Sequence, residues 1–471
     1  MHALRSLYDV VDRFLAVAVD YAWGTPLLVL LVGGGLLLML YSRLLPFVGM
    51  RHAIDIVRGR YDDPDDPGDI SHFQALSTAL SSTIGMGNIG GVAIAITQGG
   101  PGAVLWMWLA ALVGMATKFF TCTLAIMYRG EDSAGQVQGG PMYFLENGLG
   151  RLGKVLAVMF ATCGMVGCLA MFQSNQMAEA VAEVFHPGKA GVLAIHHGTG
   201  VVCVVLTAVV VLGGVKRIAR VASGLVPTMC VLYVGSALLI VGLHVDQVPA
   251  VFAQIVGSAF GTRAVVGGAA GYAFMTVVQV GVRRAAFSNE AGIGTAPMAH
   301  GAAKTTEPIR EGLVAMVGPL IDTIVVCSMT AFVILVSGAW QGRDHVSGVG
   351  LTIDAYGTLL GGWSRYLLLL IILMFGLSTV FGYSYYGRKC FSYLFGFERS
   401  VYYNYVFIGS LYFGAIWSAG LVVNLLDTAF ALMAFPTMLG TLLLSPRVMR
   451  AVRDYFQRMR SQTAEKASAV G

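Results

Sequence analysis

Residues 81–91, SSTIGMGNIGG, are the stretch of the chain that most strongly indicates a binding site. They place glycines and hydroxyls inside a long apolar run, where a membrane helix normally carries leucine. An unpaired backbone N–H or C=O is costly in hydrocarbon, so a helix breaks there only against protein or a water-filled cavity. Free N–H groups at one half-helix end suit a carboxylate, and free carbonyls at the other suit a small hard cation.

Tight helix packing is the alternative interpretation of these glycines, because small residues let two helix backbones approach closely. The three consecutive glycines at 33–35 are assigned to such packing, and no function is attached to them.

The composition is that of a polytopic membrane protein. Of the 471 residues, 56% are hydrophobic and 12% are charged, whereas about 25% are charged in soluble proteins. The net charge of +5 is small and scattered, which argues against a nucleic-acid partner. The seven cysteines lie in or beside apolar segments without paired spacing, so we expect small core residues, not disulfides or a metal site. No removed signal peptide is expected.

Eleven apolar runs have spanning length, which is about 20 residues. They lie near 26–45, 71–98, 102–127, 153–183, 198–214, 220–243, 264–282, 311–337, 364–387, 401–420 and 429–445. Residues 4–23 have one apolar face and are predicted to form a helix lying in the membrane interface. The predicted division is an interfacial helix at 1–25, a first span at 26–46, two five-helix units at 71–243 and 264–445, and a basic tail at 446–471.

The basic residues predict the orientation, because cytoplasmic loops carry an excess of Lys and Arg. Of the 30 basic residues, 23 fall on one side, in the connections 43–70, 129–154, 215–220, 283–310, 388–399 and the tail from 446. Six fall on the other side, and Lys118 lies inside a span. We therefore expect a cytoplasmic C-terminus and an external N-terminus. Lys118, Asp322 and Asp427 lie within spans and are expected to face protein or water.

Spans two and seven are the two predicted to be broken by clustered glycine. Span seven begins VVGGAAGYAFMTVVQVG, at residues 265–281. The orientation makes these spans run in opposite directions, so spans 2–6 and 7–11 are predicted to be inverted repeats. Interrupted segments at matching positions of two halves indicate a transporter's midplane site.

Several stretches resemble one family, the alanine or glycine:cation symporters, also called sodium:alanine symporters. The most recognisable is FSNEAGIGTAPMAH at 287–300, and the others are ALSSTIGMGNIGGVAIAITQGGPGAVLWMW, GGPMYFLENGLG, GPLIDTIVVCSMTAFVI, FGLSTVFGYSYYG and LLDTAFALMAFPTM. The resemblance covers roughly residues 30–450. It implies an all-α fold with a LeuT-type 5+5 inverted repeat, and secondary active uptake of small neutral amino acids with sodium.

The resemblance also implies roles for the residues of span two. The backbone of Met86, Gly87 and Asn88 would meet the substrate carboxylate, with Thr83 and Gly85 lining the same break. By similarity to other transporters of this fold, the carbonyls of Ser81 and Ile84 would face the cation.

Span nine is expected to complete the cation site. Ser378 and Thr379 are adjacent hydroxyls that resemble the hydroxyl pair of the common sodium site, and the carbonyl of Phe375 lies one turn earlier. The alternative is that each hydroxyl bonds back to its own helix four residues earlier, as is common in membrane helices.

Five further positions, in spans four, seven and nine, are assigned to the substrate. Gln173 is a polar amide within span four, which either hydrogen-bonds another helix or, as the resemblance implies, faces the substrate. Tyr383 stands where relatives often carry tryptophan. Because tyrosine is the smaller side chain, it would enlarge the pocket. Span seven is expected to add backbone near Gly271 and the side chains of Tyr272 and Thr276. The stretch FSNEAG is expected to be structural, on the cytoplasmic side after Arg283 and Arg284, with Arg284 replacing a glycine that is usual in relatives.

The sequence thus favours a sodium-coupled importer, with the amino acid, sodium as coupling ion and the lipid bilayer as partners and no organic cofactor. A proton-coupled transporter of the same fold is the nearest alternative, and its mark would be an ionisable residue at the cation site. A membrane-embedded enzyme would need a convergent His, Asp or Cys group, and a channel would need a ring of charges or a filter motif. The sequence has neither.

Overall fold

The computed structural model of the protein describes residues 2–185, 188–260, 268–341 and 348–470, and these residues are almost entirely helical. Turns and loops connect the helices, and a small antiparallel hairpin is formed by β1 (Gly130–Glu131) and β2 (Val137–Gln138). The helices of the N-terminal part are α1 His2–Ala22, α2 Thr25–Leu28, α3 Gly34–Tyr41, α4 Leu45–Val48, α5 Met50–Val57, α6 His72–Thr83, α7 Val92–Gly99, α8 Ala103–Met127, α9 Pro141–Gly167, α10 Met171–Phe185, α11 Lys189–Val211, α12 Val215–Leu243 and α13 Val248–Ala259.

The C-terminal part continues in the same way. Its helices are α14 Gly268–Asn289, α15 Ala296–His300, α16 Pro308–Ala315, α17 Val317–Pro319, α18 Ser328–Ser337, α19 Val349–Leu360, α20 Trp363–Phe395, α21 Ser400–Ile416 and α22 Ala419–Val470. Short π-helical stretches join some of these helices, at Val29–Gly33, Gly87–Gly91 and Leu320–Cys327, and a 3₁₀ turn lies at Val245–Gln247.

Seven helical segments of the described chain are long and apolar enough to cross a membrane, and two bent helix pairs bring the number to nine. Among the remaining predicted spans, the seventh runs partly over residues 261–267, which lie outside the described ranges, and α21 has 17 residues. The total of eleven therefore stays a prediction. So do the domain boundaries, although the 47° bend between α1 and the first span fits an N-terminal helix lying apart from it.

Span two breaks where the sequence predicts. Helix α6 begins with a capping box between Ser71 and Gln74 and ends at Thr83. Ile84 then turns to an extended conformation with ψ 91°, and the chain resumes as a π-turn and α7, bent by 53° from α6. All residues from Leu80 to Ile96 are buried, so the interruption lies against protein.

Span seven breaks at a different place from the one predicted. Helix α14 is continuous from Gly268 to Asn289, through most of the glycine-rich stretch 265–281. The chain leaves the helix only at residues 290–295, where Glu290, Gly292 and Gly294 have φ of 57°, 85° and 105°. Within the described residues, the break therefore follows the glycine-rich stretch, while residues 265–267 of that stretch lie outside the described ranges. FSNEAG comprises the last turn of α14 and the start of the interruption.

The physical reason is that a glycine costs a helix only about 1 kcal/mol relative to alanine, so a helix tolerates several of them. Gly281 shows what they do in α14: a Cβ there would lie 2.6 Å from the carbonyl oxygen of Ala103, which means that the helices pack backbone to backbone. Positive φ angles are what actually end the helix.

Span four is also interrupted. Residues 168–170 separate α9 from α10 within it, with Ala170 at φ 31°, and Gly150, just before the span, is non-helical within α9. Helix α10 therefore begins two residues before Gln173, in the interior of the protein.

Candidate functional site

The breaks of spans two and seven face each other. A Cβ on Gly87 would lie 3.2 Å from Phe287 Cδ1 and 3.3 Å from Ser288 Cα, so the backbone of the first break packs on the end of α14. Glycine at this position permits the approach, and both segments are buried. The structure thus brings the two interruptions together in the interior.

Asn88 holds the turn of the first break. Its Oδ1 accepts a hydrogen bond from Gly85 N at 2.9 Å, and its own N donates to Gly85 O at 3.1 Å. Thr330 Oγ1 donates to the carbonyl of Asn88 at 2.6 Å, which ties the turn to α18. These bonds place Met86 and Gly87 at the apex of a turn whose shape is fixed by its own side chain.

The five predicted cation ligands come from the end of α6 and the middle of α20, which lie side by side. Ser378 Oγ donates to the carbonyl of Ser81 at 3.1 Å. Gly85 lies against Thr379, since a Cβ on Gly85 would be only 2.1 Å from Thr379 Oγ1. Ser81, Ile84, Phe375, Ser378 and Thr379 are all at most 1% exposed.

These residues offer hydroxyl and carbonyl oxygens and no ionisable side chain, which is the donor chemistry of a small hard cation. Thr379 Oγ1 donates to the carbonyl of Phe375 at 3.1 Å, so this hydroxyl makes the bond to its own helix that the sequence left open. Ser378 does not follow that pattern and reaches across to the break.

Gln173 is linked to the facing breaks by the adjacent residue, Phe172. The ring of Phe172 meets that of Phe287 edge to face at 5.2 Å between centroids, and Phe287 in turn contacts Gly87. Gln173 is buried, and its Oε1 accepts no hydrogen bond from any described residue. The interhelical hydrogen bond that was the alternative is therefore not made through this oxygen.

Tyr383 joins α20 to the second break. Its hydroxyl donates to Glu290 Oε1 at 2.6 Å, and Thr295 Oγ1 donates to Glu290 Oε2 at 2.5 Å. Of the other predicted residues, Thr83 bonds back to the carbonyl of Ala79 at 3.1 Å. Gly271 and Thr276 lie within α14, and the side chain of Tyr272 lies outside the described residues.

Sequence reasoning missed the polar contacts between the first break and Asp322. Asn88 Nδ2 donates to the Asp322 carboxylate, and Ser288 Oγ donates to Asp322 Oδ2 at 2.9 Å. Asn289 Nδ2 donates to Thr323 Oγ1 at 3.0 Å. Asp322 was expected to face protein or water and was not assigned to the site. Its place in the GPLIDT stretch, one of the quoted motifs, is the signal that could have added it.

The fold is similar to that of a solved structure. A structure titled "Crystal structure of MhsT in complex with L-phenylalanine" matches with a TM-score of 0.58 at 13% sequence identity, covering 79% of this chain and 89% of that one. The protein is thus an all-α, multi-pass membrane protein with the LeuT-type fold.

The family follows from the sequence comparisons. The model of the "Sodium:alanine symporter family" matches residues 8–469. The chain is 41% identical over 457 residues to "Sodium/alanine symporter AgcS" of Methanococcus maripaludis, covering 95% of this chain and 98% of the relative. It is 34% identical over 455 residues to "Probable sodium/glutamine symporter GlnT" of Bacillus subtilis, covering 95% and 91%. The chain belongs to the sodium:alanine symporter family and is a cation-coupled amino-acid transporter, not an enzyme.

Proposed function

We propose that this protein imports small neutral amino acids such as alanine and glycine by coupling their uptake to inward sodium flow. The observation that carries the proposal is the contact between Ser378 Oγ and the Ser81 carbonyl, which joins the broken helix to a hydroxyl of span nine. The names of the relatives AgcS and GlnT support sodium as the coupled ion and neutral amino acids as the substrates.

In this proposal, sodium and the substrate carboxylate bind at the two ends of the break. The carbonyls of Ser81, Ile84 and Phe375, with the hydroxyls of Ser378 and Thr379, bind sodium. The backbone at residues 86–88 binds the carboxylate, with Thr83 and Gly85 lining the break and Gln173, Tyr383 and span seven (Gly271, Tyr272 and Thr276) completing the pocket. Since one short segment binds both sodium and the carboxylate of the amino acid, each ligand raises the affinity for the other.

Transport then follows from alternating access. Spans 2, 3, 7 and 8 rock as a bundle against the remaining spans of the two repeats. Sodium moving inward supplies about 2.3 kcal/mol per charge per 100 mV of membrane potential. The protein lies in a bacterial inner membrane, with the N-terminus outside and the C-terminus in the cytoplasm.

Proton coupling is the second candidate function. Two buried carboxylates, Asp322 and Glu290, contact the facing breaks, and a carboxylate can carry a proton. The five cation ligands contain none, and this favours sodium.

Labelled alanine uptake into proteoliposomes tests the proposal, with an imposed sodium gradient in one set and a proton gradient in the other. We expect sodium-driven uptake, and a Ser378→Ala variant whose apparent sodium affinity is about tenfold lower, equivalent to about 1.4 kcal/mol. Ser384→Ala is the matched control, because Ser384 is buried on the same helix and bonds back to the Phe381 carbonyl at 2.6 Å. Alanine uptake that does not depend on sodium would contradict the proposal. So would an equal loss of sodium affinity in Ser378→Ala and Ser384→Ala.

A further inference from the structure

A buried ion pair joins α14 to α22 near Phe287. Arg284 Nη2 contacts Asp427 Oδ2, and both side chains are 1% exposed. Arg283 is farther from the same carboxylate, with its Nε 3.8 Å from Asp427 Oδ2. The pair is therefore a fully buried contact between two spans.

The pair leaves three of its polar atoms unsatisfied. Arg284 Nε, Arg284 Nη1 and Asp427 Oδ1 are buried and make no hydrogen bond with any described residue. Buried polar atoms are normally paired, and an unpaired one needs an explanation, above all on a charged group. Two donors on one partner and an acceptor on the other thus remain in one place.

This arrangement is complementary to a primary carboxamide. The amide oxygen accepts from the guanidinium, and the amide nitrogen donates to the free carboxylate oxygen. A carboxylate side chain would satisfy Arg284 but be repelled by Asp427, and an ammonium would meet the opposite conflict. A hydrocarbon side chain would satisfy neither group.

The pair lies one aromatic ring away from the proposed carboxylate site. The guanidinium carbon of Arg284 is 5.3 Å from the centroid of the Phe287 ring, and that ring contacts the Gly87 position of the break. A substrate side chain would therefore have to reach past the Phe287 ring to contact Arg284 and Asp427.

We propose that Arg284 and Asp427 form a subsite for the side-chain carboxamide of the substrate, so that the protein also takes neutral amino acids of the glutamine and asparagine type. The inference rests on the proposed function, because the α-carboxylate must be held at the break. A pair that serves only as a contact between two spans is the competing interpretation, and the experiment separates them.

The experiment measures competition in proteoliposomes that take up labelled alanine with sodium. Unlabelled glutamine, asparagine, serine and glutamate compete, and the quantity of interest is the inhibition constant of glutamine divided by that of serine. Each protein supplies its own ratio, so differences in the amount of folded protein cancel. In the wild type we expect glutamine and asparagine within about tenfold of serine, and glutamate at least about tenfold weaker than glutamine.

The double variant Arg284→Leu/Asp427→Leu removes both groups without leaving an unpaired buried charge. We expect its glutamine-to-serine ratio to rise about 10- to 100-fold, because hydrogen bonds to two charged groups are lost. Arg284→Lys keeps the charge but not the planar set of donors, so its ratio also rises and provides the test if the double variant does not fold. Arg388→Lys is the control for the same exchange elsewhere, since Arg388 bonds Ser400 on α21.

Two results overturn the subsite while leaving the proposed function intact. One is a wild type that takes up alanine with sodium but is not inhibited by glutamine or asparagine. The other is a ratio that stays unchanged in the double variant or in Arg284→Lys, which would assign the pair to span packing. A wild type without sodium-driven alanine uptake overturns the proposed function, and the subsite with it.

Discussion

Replacing Gly85 with alanine tests the coupling between the broken helix and span nine. The added Cβ would lie 2.1 Å from Thr379 Oγ1 and 3.2 Å from Thr379 Cβ, whereas ordinary contacts begin at 3.4 Å. The hydroxyl must therefore move by more than about 1 Å. Threonine is stiff at χ1, and another rotamer would take Oγ1 away from the Phe375 carbonyl that it now contacts at 3.1 Å.

The expected loss can be estimated from this overlap. Inserting a methyl group into a well-packed interior costs about 1–3 kcal/mol, and here the atom that must move is a proposed sodium ligand. We expect the apparent sodium affinity of Gly85→Ala to fall about 10- to 100-fold, equivalent to about 1.4–2.7 kcal/mol. The assay is the sodium dependence of alanine uptake in proteoliposomes, alongside the melting temperature of the purified protein.

Two companion variants make the result specific. Gly91→Ala is the matched control, because Gly91 is buried in the same interruption and a Cβ there would meet nothing within 4 Å. In a Thr379→Ser background, Gly85→Ala should lower the apparent sodium affinity by less, because the hydroxyl of serine changes rotamer more freely. The reasoning is refuted if Gly85→Ala keeps the wild-type sodium affinity, or if Gly91→Ala loses as much.

Two further predictions concern buried carboxylates. Tyr383→Phe removes the 2.6 Å hydrogen bond to Glu290 and should destabilise the protein by about 1.5–3 kcal/mol, read as a lower melting temperature; an unchanged value would mean that the contact does not stabilise the second break. Glu311 bridges His72 and His300, with His300 Nδ1 at 2.5 Å from its carboxylate. If the bridge is ionic, Glu311→Gln should lower the free energy of unfolding by about 3–5 kcal/mol. A decrease below about 1 kcal/mol would show a neutral bridge.

The break of span two could be predicted because its glycines coincide with small hydroxyl residues in an apolar run. The neighbouring contacts could not be predicted in the same way. Ser378 meets the Ser81 carbonyl across almost 300 residues of sequence, and a pattern within one helix does not reveal which helix lies beside it. The resemblance to a family supplied that pairing.

The break of span seven shows where glycine counting fails. Helix α14 stays helical at Gly281, which packs against the backbone of α8, whereas Glu290, Gly292 and Gly294 carry the positive φ angles. The signal in the sequence is the pair of closely spaced glycines after Asn289, whose Oδ1 accepts a hydrogen bond from Ala291 N at 2.9 Å just after the helix ends. The number of glycines in a stretch is thus a weaker indicator of a helix break than the side chain that precedes the break, here Asn289.

Helix α22 has a mechanical consequence. It is continuous from Ala419 to Val470 in spite of Pro436 and Pro446, and it carries the buried Asp427 near its N-terminal end and the exposed Arg458 toward its C-terminal end. These two residues are about 46 Å apart at 1.5 Å per residue. A tilt of about 10° at Asp427 therefore displaces Arg458 by roughly 8 Å relative to its partner Glu307 at the start of α16. The helix acts as a lever, and a spectroscopic label beside Arg458 would register movement of the intramembrane pair from a place where it disturbs neither ligand.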